Sequence, residues 1–390
     1  MTGLSRARGL GSIGLSDDRA SVRDTDGAQP TIPIGIDDID PRWLTAAIGS
    51  RLAEGVEVRS FSVETIGTGI GLMGLLYRLT IDYDGDLGGH APPTVIVKLP
   101  VLIDATRQVA LAYRFYEKEV AFYRQLAAET TLRTPEIYFS AHDLGTDNFV
   151  LVMQDLGHLR AADQVAGCER DDAVAAVVAL ARHHAAFWND ARLDSEDLAW
   201  LPFASDDPTP EGIRRTFASC WQSFVVFIGD DLSPDVKAVG DWLPDAARDL
   251  LSVPDGHAIT LAHGDYRLDN LFFDDARTVT ALDWQITMKM VGGYDFAYFV
   301  SQSLSASDRR RYLDDLVDAY LATLADAGVS YPEDQFWLDV RRTLLFCLAY
   351  PVQCMALDLT DPRAAALVRE LADRASSAIT EMGALELLPR

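Results

Sequence analysis

Two stretches of sequence decide the fold of this chain: HGDYRLDN at residues 263–270 and LDWQ at residues 282–285. Between them the pattern predicts two short strands, around 270–273 and 278–282, that turn back on each other. A hairpin of this length places the residue before its first strand beside the residue after its second. The two polar stretches are therefore expected to form one site.

The side chains of these stretches are those that phosphoryl transfer requires. Asp265 is the candidate catalytic carboxylate near the acceptor hydroxyl, and Asn270 and Asp283 are candidate oxygen ligands for Mg²⁺. His263 completes the predicted catalytic set, orienting the loop through hydrogen bonds rather than transferring a proton. The alternative is an ordinary polar loop between helices, but the hairpin spacing and the acidic strand end argue against it.

A glycine-rich turn, residues 67–74, lies between two strand-like runs. Its GxGxxG pattern is followed by a strand, so it does not fit a dinucleotide-binding helix, and GK[ST] is missing, so it is not a P-loop. A hairpin of this kind suits a flap whose backbone N–H groups cover phosphates, with Gly67, Gly69 and Gly71 as candidate contacts. An ordinary glycine-rich hairpin is the alternative.

Lys98 stands inside the short apolar strand TVIVKL, residues 94–99, in a chain with four lysines and thirty arginines. A buried ammonium needs a carboxylate partner, and the following amphipathic helix offers Glu117 or Glu119. Glu119 is favoured because apolar residues at +3 and +4 place it beside the packed face. Lys98 would then hold phosphates. Alternatively, it extends to solvent from an edge strand.

Composition limits the partners of this protein. The 390 residues carry a formal net charge of −25, which disfavours nucleic acid and anionic membrane and favours cationic or neutral small molecules, although a generally acidic proteome gives the same charge. Four scattered cysteines show no CxxC spacing, no apolar run approaches the length of a membrane span, and we expect the first thirty residues to make a poor signal peptide. We expect a cytoplasmic protein.

The order of the predicted elements indicates an α+β fold with two lobes. Residues 1–30 are expected to be a disordered tail, and residues 31–152 a small lobe with an antiparallel sheet and one helix. Residues 153–157 would be a hinge, and residues 158–390 a larger, mostly helical lobe with the catalytic loop.

These motifs resemble the aminoglycoside phosphotransferase and choline kinase superfamily, a branch of the protein-kinase-like fold. The hinge LVMQDLG at 151–157 and GGYDFAYFVSQSL at 292–304 resemble its ecdysteroid-kinase-like subgroup. The resemblance implies a two-lobed fold with ATP in the cleft and extends the roles above to Lys98, Glu119 and the loop residues. It also implies that adenine bonds the backbone around Gln154, Asp155 and Leu156.

The chain departs from protein kinases in ways that bear on its substrate. Gly264 stands where a protein kinase has Arg, and Trp-Gln follows Asp283 in place of Phe-Gly. Only eleven residues separate Asp283 from Asp295, too few for a phosphorylated activation segment. A protein substrate is therefore not expected.

We expect an ATP- and Mg²⁺-dependent transferase acting on a small-molecule hydroxyl, with a nucleotide-binding pseudokinase or scaffold as the alternative. The acceptor could be an aminoglycoside or a metabolic, xenobiotic or sterol-like alcohol. Its wall is expected within residues 200–240 and 340–360. Five aromatic residues there fit an apolar acceptor or, alternatively, helix packing: Trp200, Phe203, Trp221, Phe224 and Phe227. Oligomeric state is left open.

Overall fold

The computed structural model describes residues 30–67, 73–85 and 89–389, and these ranges contain ten strands and eleven α-helices. The strands β1–β10 are Glu57–Ile66, Gly74–Asp84, Thr94–Pro100, Ile137–Asp143, Asn148–Gln154, Arg160–Ala161, Thr260–Ala262, Leu271–Phe273, Val279–Ala281 and Met288–Met290. The helices α1–α11 are Pro41–Ala47, Asp104–Ala112, Phe115–Gln125, Arg170–Ala186, Thr209–Ile228, Pro234–Leu250, Gly293–Gln302, Ala306–Asp326, Glu333–Cys347, Ala349–Gln353 and Pro362–Glu381.

The small lobe is built on a five-stranded antiparallel sheet in the order β1-β2-β3-β5-β4. Alternation along β3 sends Val95 and Val97 to the face covered by α1, and Ile96 to the opposite face. That opposite face is covered by α3, whose Tyr116 ring stacks on Phe149 of β5 at 4.1 Å between centroids. Because β3 is the middle strand, its side chains are shielded from solvent on both edges.

The larger lobe packs its helices around α7, in which every residue is buried. Helix α7 lies against α9 and α11, α4 packs on α8, and α5 packs on α6. The two lobes meet where Phe122 of α3 stacks on Trp284, at 3.8 Å between ring centroids. This contact places the residue before Trp284, Asp283, beneath the sheet of the small lobe.

The predicted fold class is confirmed, with one difference in the small lobe. The pattern over residues 109–127 predicts a single helix, but the structure divides this region between α2 and α3. Arg114, between them, has a left-handed backbone with φ of 54°, and Tyr113 stacks on Phe115 at 5.2 Å across the break. Because apolar residues recur at helical spacing on both sides, the pattern does not indicate so short a break.

The predicted domain boundaries stay predictions, and the expected tail falls almost wholly outside the described residues. Across the described ranges, no helix is long and apolar enough to cross a membrane.

The contact between α5 and α6 requires glycine at position 240. A Cβ there would lie 2.1 Å from Cη2 of Trp221, whose indole N–H is held by Asp241 at 2.7 Å. Alanine normally stabilises a helix interior by about 1 kcal/mol relative to glycine. We expect Gly240→Ala to destabilise the protein by about 1–3 kcal/mol instead, because the indole must be displaced.

Urea unfolding of the variant measures this effect. Gly49→Ala is the matched control, because a Cβ at Gly49 meets nothing within 4 Å. Stability equal to or above that of the wild type in Gly240→Ala would contradict the packing described here.

Candidate active site

The loop after β7 is fixed by its own backbone and by one buried carboxylate. Asp295 on α7 accepts the N–H of His263 at 2.7 Å and the N–H of Gly264 at 2.9 Å. Gly264 has φ of +84°, and a Cβ there would lie 2.5 Å from the carbonyl oxygen of Ile286. An arginine, as protein kinases have at this position, could not adopt this conformation without strain. The loop therefore depends on glycine for its shape.

Asp295 is itself held by a buried histidine. Nε2 of His184 lies 3.1 Å from a carboxylate oxygen of Asp295, and Nδ1 lies 2.7 Å from the hydroxyl of Tyr320. Burial alone would raise the pKa of Asp295, but the hydrogen bond and charge of His184 and the loop N–H groups lower it below its usual value. Asp295 therefore stays ionised and supports the loop at residues 263–270 as a hydrogen-bond acceptor.

His263 is fully buried, with both ring nitrogens engaged by backbone. Nε2 lies 3.0 Å from the carbonyl oxygen of Leu282, and Nδ1 accepts the N–H of Asp265 at 3.2 Å. These partners define the neutral tautomer with the proton on Nε2. Burial lowers the pKa of His263, although the nearby carboxylates oppose this shift. Its geometry fits an orienting role, since no nitrogen faces the cleft.

The carboxylate of Asp265 is held by three donors and is 8% exposed. Oδ1 accepts Nε of Arg267 at 3.1 Å and the hydroxyl of Tyr298 at 2.5 Å, and Oδ2 accepts Nδ2 of Asn270 at 2.9 Å. A carboxylate oxygen accommodates about two hydrogen bonds. Oδ1 is therefore saturated, whereas Oδ2 keeps one position for a further hydrogen-bond donor.

Arg267 and Tyr298 are site residues that the sequence interpretation did not identify. Arg267 stands within the quoted loop, two residues beyond Asp265, so its position was a usable signal. Tyr298 comes from α7 and reaches Asp265 only through the packing of that helix. No spacing rule in the sequence indicates this second contact.

The hairpin of β8 and β9 brings Asn270 and Asp283 together. The N–H of Leu282 donates to the carbonyl oxygen of Asn270 at 2.9 Å, closing the hairpin directly between the two candidate ligands. Nδ2 of Asn270 donates to both the backbone carbonyl and Oδ2 of Asp265. The side-chain oxygen of Asn270 is therefore the atom of this amide that could bind a cation. The Asp283 side chain is 27% exposed, and its backbone has φ of 65°.

These two residues fit a divalent cation of the Mg²⁺ type. An amide oxygen and a carboxylate are hard ligands, and Mg²⁺ characteristically takes one or two protein ligands together with phosphates and water. Among the described residues, no three His, Cys, Asp or Glu side chains cluster as a self-sufficient metal site. A cation held by Asn270 and Asp283 would therefore need further oxygens from water or a bound ligand.

Lys98 joins the two lobes through carboxylates. Its Nζ lies 2.7 and 2.9 Å from the Glu119 oxygens on α3 and 3.3 Å from Oδ1 of Asp283. Burial would lower the pKa of Lys98, but the charges of Asp283 and Glu119 raise it above its usual value. Burial raises the pKa of Glu119, and Lys98 opposes that shift. The ammonium is thus charged and directed at the Asp283 side of the cleft.

The alternatives for Lys98 are resolved by its position in the fold. Lys98 lies on the central strand, so it does not extend to solvent from a sheet edge. Glu117 bonds Arg114 at 2.7 Å, so the partner of Lys98 is Glu119. The last glycine of the glycine-rich turn, Gly74, packs on the Lys98 side chain, where a Cβ would lie 2.8 Å from Cε.

The predicted nucleotide contacts are only partly described. Gly67 lies at the start of the turn with φ of +67°, whereas Gly69 and Gly71 fall outside the described residues. At the hinge, the N–H of Gln154 donates to Glu136, and the Asp155 carboxylate accepts Nε of Arg78 at 2.7 Å. The N–H of Leu156 has no hydrogen-bond partner among the described residues, so it is one hinge donor available to a ligand.

Other conspicuous side chains belong to the core. His183 bonds Thr130 and the carbonyl of Leu261 and, like His184, contributes to packing rather than to a metal site. Trp200, Trp221 and Phe224 are at most 8% exposed within the main hydrophobic core, as the helix-packing interpretation predicts. Within the described part of the chain, a cavity of about 500 Å³ lined by Arg114 and Trp200, among others, does not include Asp265.

Comparison with known proteins gives a family match in sequence. The family model described as ecdysteroid kinase-like family matches residues 68–329, more than half of the chain. No curated protein matches the chain in sequence.

The solved structures similar to this chain have low sequence identity to it. An ethanolamine kinase from Plasmodium vivax is 13% identical, with 89% of this chain and 87% of that chain covered and a TM-score of 0.48. A choline/ethanolamine kinase family protein from Mesorhizobium loti is 16% identical, with 84% and 89% covered and a TM-score of 0.45. A macrolide 2'-phosphotransferase from Brachybacterium faecium is 17% identical, with 85% and 97% covered and a TM-score of 0.42. The family assignment rests on the sequence match.

Proposed function

Because this chain belongs to the ecdysteroid kinase-like family, we propose that it transfers the γ-phosphoryl group of ATP to a hydroxyl of a small molecule. One observation carries the proposal: a continuous set of contacts links Glu119, Lys98 and Asp283 to Asn270 and Asp265 across both lobes. In this proposal residues 31–152 bind the phosphates, 153–157 form the hinge and 158–390 carry the catalytic loop.

The candidate base acts through one oxygen. Oδ2 of Asp265 accepts the acceptor hydroxyl and orients it for in-line attack, while Oδ1 is held by Arg267 and Tyr298. His263, acting through backbone groups, keeps the loop in this conformation. The acceptor is thus oriented before the phosphoryl group moves, which reduces the entropic cost of the reaction.

Charge on the phosphates is balanced from the opposite side of the cleft. Lys98, oriented by Glu119, faces the phosphates, and Asn270 and Asp283 would hold Mg²⁺. A metal held by these two residues would supply positive charge against the negative charge of the phosphates. The backbone of Asp155 and Leu156 at the hinge would receive the adenine. Catalysis by these groups consists mainly of positioning and electrostatic stabilisation.

ADP release tests this proposal and identifies the acceptor class. Purified protein is given Mg²⁺ and ATP with a panel of aminoglycosides, choline, sugars and sterols, beside Asp265→Ala. Asp275→Ala is the matched control, because Asp275 is an exposed acidic residue in the neighbouring hairpin. We expect turnover with one acceptor class, abolished in Asp265→Ala and preserved in Asp275→Ala.

Two results would contradict the kinase assignment. If the protein did not bind ATP, the proposal that it is an ATP-dependent kinase would be wrong. Tight Mg²⁺-ATP binding without turnover on any alcohol would favour the pseudokinase or scaffold instead.

A further inference from the structure

Arg374 on α11 is a buried arginine whose main partners are backbone carbonyls. Its side chain is 2% exposed, and Nη1 donates to the carbonyls of Gln164 at 2.5 Å and Gln302 at 3.0 Å. Nη2 donates to the carbonyl of Val165 at 2.8 Å. Its carboxylate neighbour Glu370 is 3.4 Å away and 45% exposed. A buried cation is costly, so these three carbonyls define where the guanidinium must lie.

The residue that provides the first carbonyl, Gln164, is connected by hydrogen bonds to the candidate base, Asp265. The N–H of Gln164 donates to Oδ1 of Asp269 at 3.0 Å, and Oδ2 of Asp269 accepts Nη1 of Arg267 at 3.1 Å. Nε of the same guanidinium donates to Oδ1 of Asp265 at 3.1 Å. Four hydrogen bonds thus connect Arg374 on α11 to the carboxylate of Asp265, and the residues between them are Gln164, Asp269 and Arg267.

The second carbonyl belongs to the helix that supports Asp265 from the other side. Gln302 is the last residue of α7, and Tyr298, one turn earlier, donates to Oδ1 of Asp265 at 2.5 Å. Asp295 on the same helix accepts the loop N–H groups. The two connections are also joined directly, since Nε2 of Gln164 donates to the carbonyl of Gln302 at 2.6 Å.

We propose that Arg374 is a positioning residue for Asp265: it joins the 163–167 turn to the end of α7, and through them it holds Oδ1 so that Oδ2 faces the acceptor. This inference rests on the proposed function and names a residue in the C-terminal helix as part of its machinery. Arg374 contacts no reacting group itself. It acts through Arg267 on one connection and through Tyr298 on the other.

The network has no internal substitute for Arg374. Oε1 of Gln164, Oε1 of Gln302 and Nε of Arg374 are buried without a hydrogen-bond partner in the described part of the chain. Removing the guanidinium would leave the carbonyls of Gln164 and Val165 without a donor among the described residues, and the carbonyl of Gln302 with only Nε2 of Gln164. The 163–167 turn and α7 can relieve this loss only by shifting. Displacements of about 1 Å at a catalytic group can lower a rate by about 100-fold.

A matched control separates this role from simple support of α11. Arg309 on α8 is equally buried, at 1% exposure, and contacts α11 through the Arg374 carbonyl, Ser377 and Glu381. It has no hydrogen bond to the 163–167 turn or to α7. Arg374→Met and Arg309→Met should therefore lower thermal stability comparably, whereas only the first should affect Asp265.

The first readout is the kinetics of ADP release with the acceptor found in the panel. We expect Arg374→Met to lower kcat by about 10–100-fold with KM for ATP within about twofold, because the hinge and Lys98 are untouched. Arg374→Lys keeps the charge and part of the hydrogen bonding, so its kcat should lie between those of Arg374→Met and the wild type. A kcat in Arg374→Met equal to that of Arg309→Met would overturn the proposal.

The second readout does not depend on turnover. Amide hydrogen exchange of residues 163–167 and 263–270 should be at least about tenfold faster in Arg374→Met than in Arg309→Met, with α5 and α6 unchanged in both. Equal exchange in the two variants would exclude the connection, even if the wild type phosphorylated none of the acceptors. If Arg374→Met does not fold, Asp269→Asn cuts the first connection without touching α11 and must reproduce the fall in kcat and the faster exchange at 263–270.

Discussion

Asp265→Asn is expected to lower kcat for phosphoryl transfer by about 10³-fold, within the range measured for loss of a positioned general base. Asparagine preserves the size of the side chain and can still accept from Tyr298 and Arg267 through one oxygen. It replaces Oδ2, the oxygen that we propose faces the acceptor, with an NH₂ group that cannot accept the hydroxyl proton. The same NH₂ group would meet Nδ2 of Asn270, which now donates to Oδ2 at 2.9 Å.

Steady-state kinetics at saturating ATP and acceptor measure this loss, and KM for ATP should change by less than about threefold. Tyr298→Phe gives a graded comparison, because it removes one donor to Oδ1 and leaves the carboxylate in place. A kcat for Asp265→Asn within tenfold of the wild type would mean that another group receives the proton.

Asp283→Asn is expected to lower kcat/KM for Mg²⁺-ATP by about 10²–10³-fold, through loss of an anionic metal ligand. The amide keeps the shape of the side chain but removes the negative charge that attracts the cation. Lys98 keeps Glu119 at 2.7 Å, so the small lobe should stay folded around its ion pair. The defect should therefore concern metal and phosphate binding rather than stability.

Titration of activity with Mg²⁺ at fixed ATP distinguishes this effect from a general defect. Asp283→Asn should need a markedly higher Mg²⁺ concentration for half-maximal rate, and chelation with EDTA should abolish activity in the wild type. Asp275→Asn, an exposed neighbour, should titrate as the wild type does. An unchanged Mg²⁺ requirement in Asp283→Asn would remove Asp283 from the metal site.

The local chemistry of the loop could be predicted from sequence because its residues are close along the chain. HGDYRLDN spans eight residues, and its link to Asp283 is a hairpin whose length alone brings the ends together. The partner of Lys98 was likewise predictable, since helical periodicity separates Glu119, on the packed face, from Glu117. Short-range geometry of this kind leaves few arrangements open.

Long-range contacts in the site could not be predicted in the same way. Tyr298 and Arg374 reach the Asp265 network only because α7 and α11 pack together beneath the loop. The break at Arg114 also escaped the pattern, because apolar residues recur at helical spacing on both sides of it.

The sequence by itself determined the family, the two-lobed fold class and the order of candidate groups along the chain. These depend on local propensity, on apolar periodicity and on motifs a few residues long. Only the tertiary structure decided which oxygen of Asp265 is free, which helix braces the loop and which buried arginine joins the two supports. Those outcomes depend on which buried polar groups, far apart in the sequence, form hydrogen bonds with one another. The spacing of residues in the sequence does not predict that pairing.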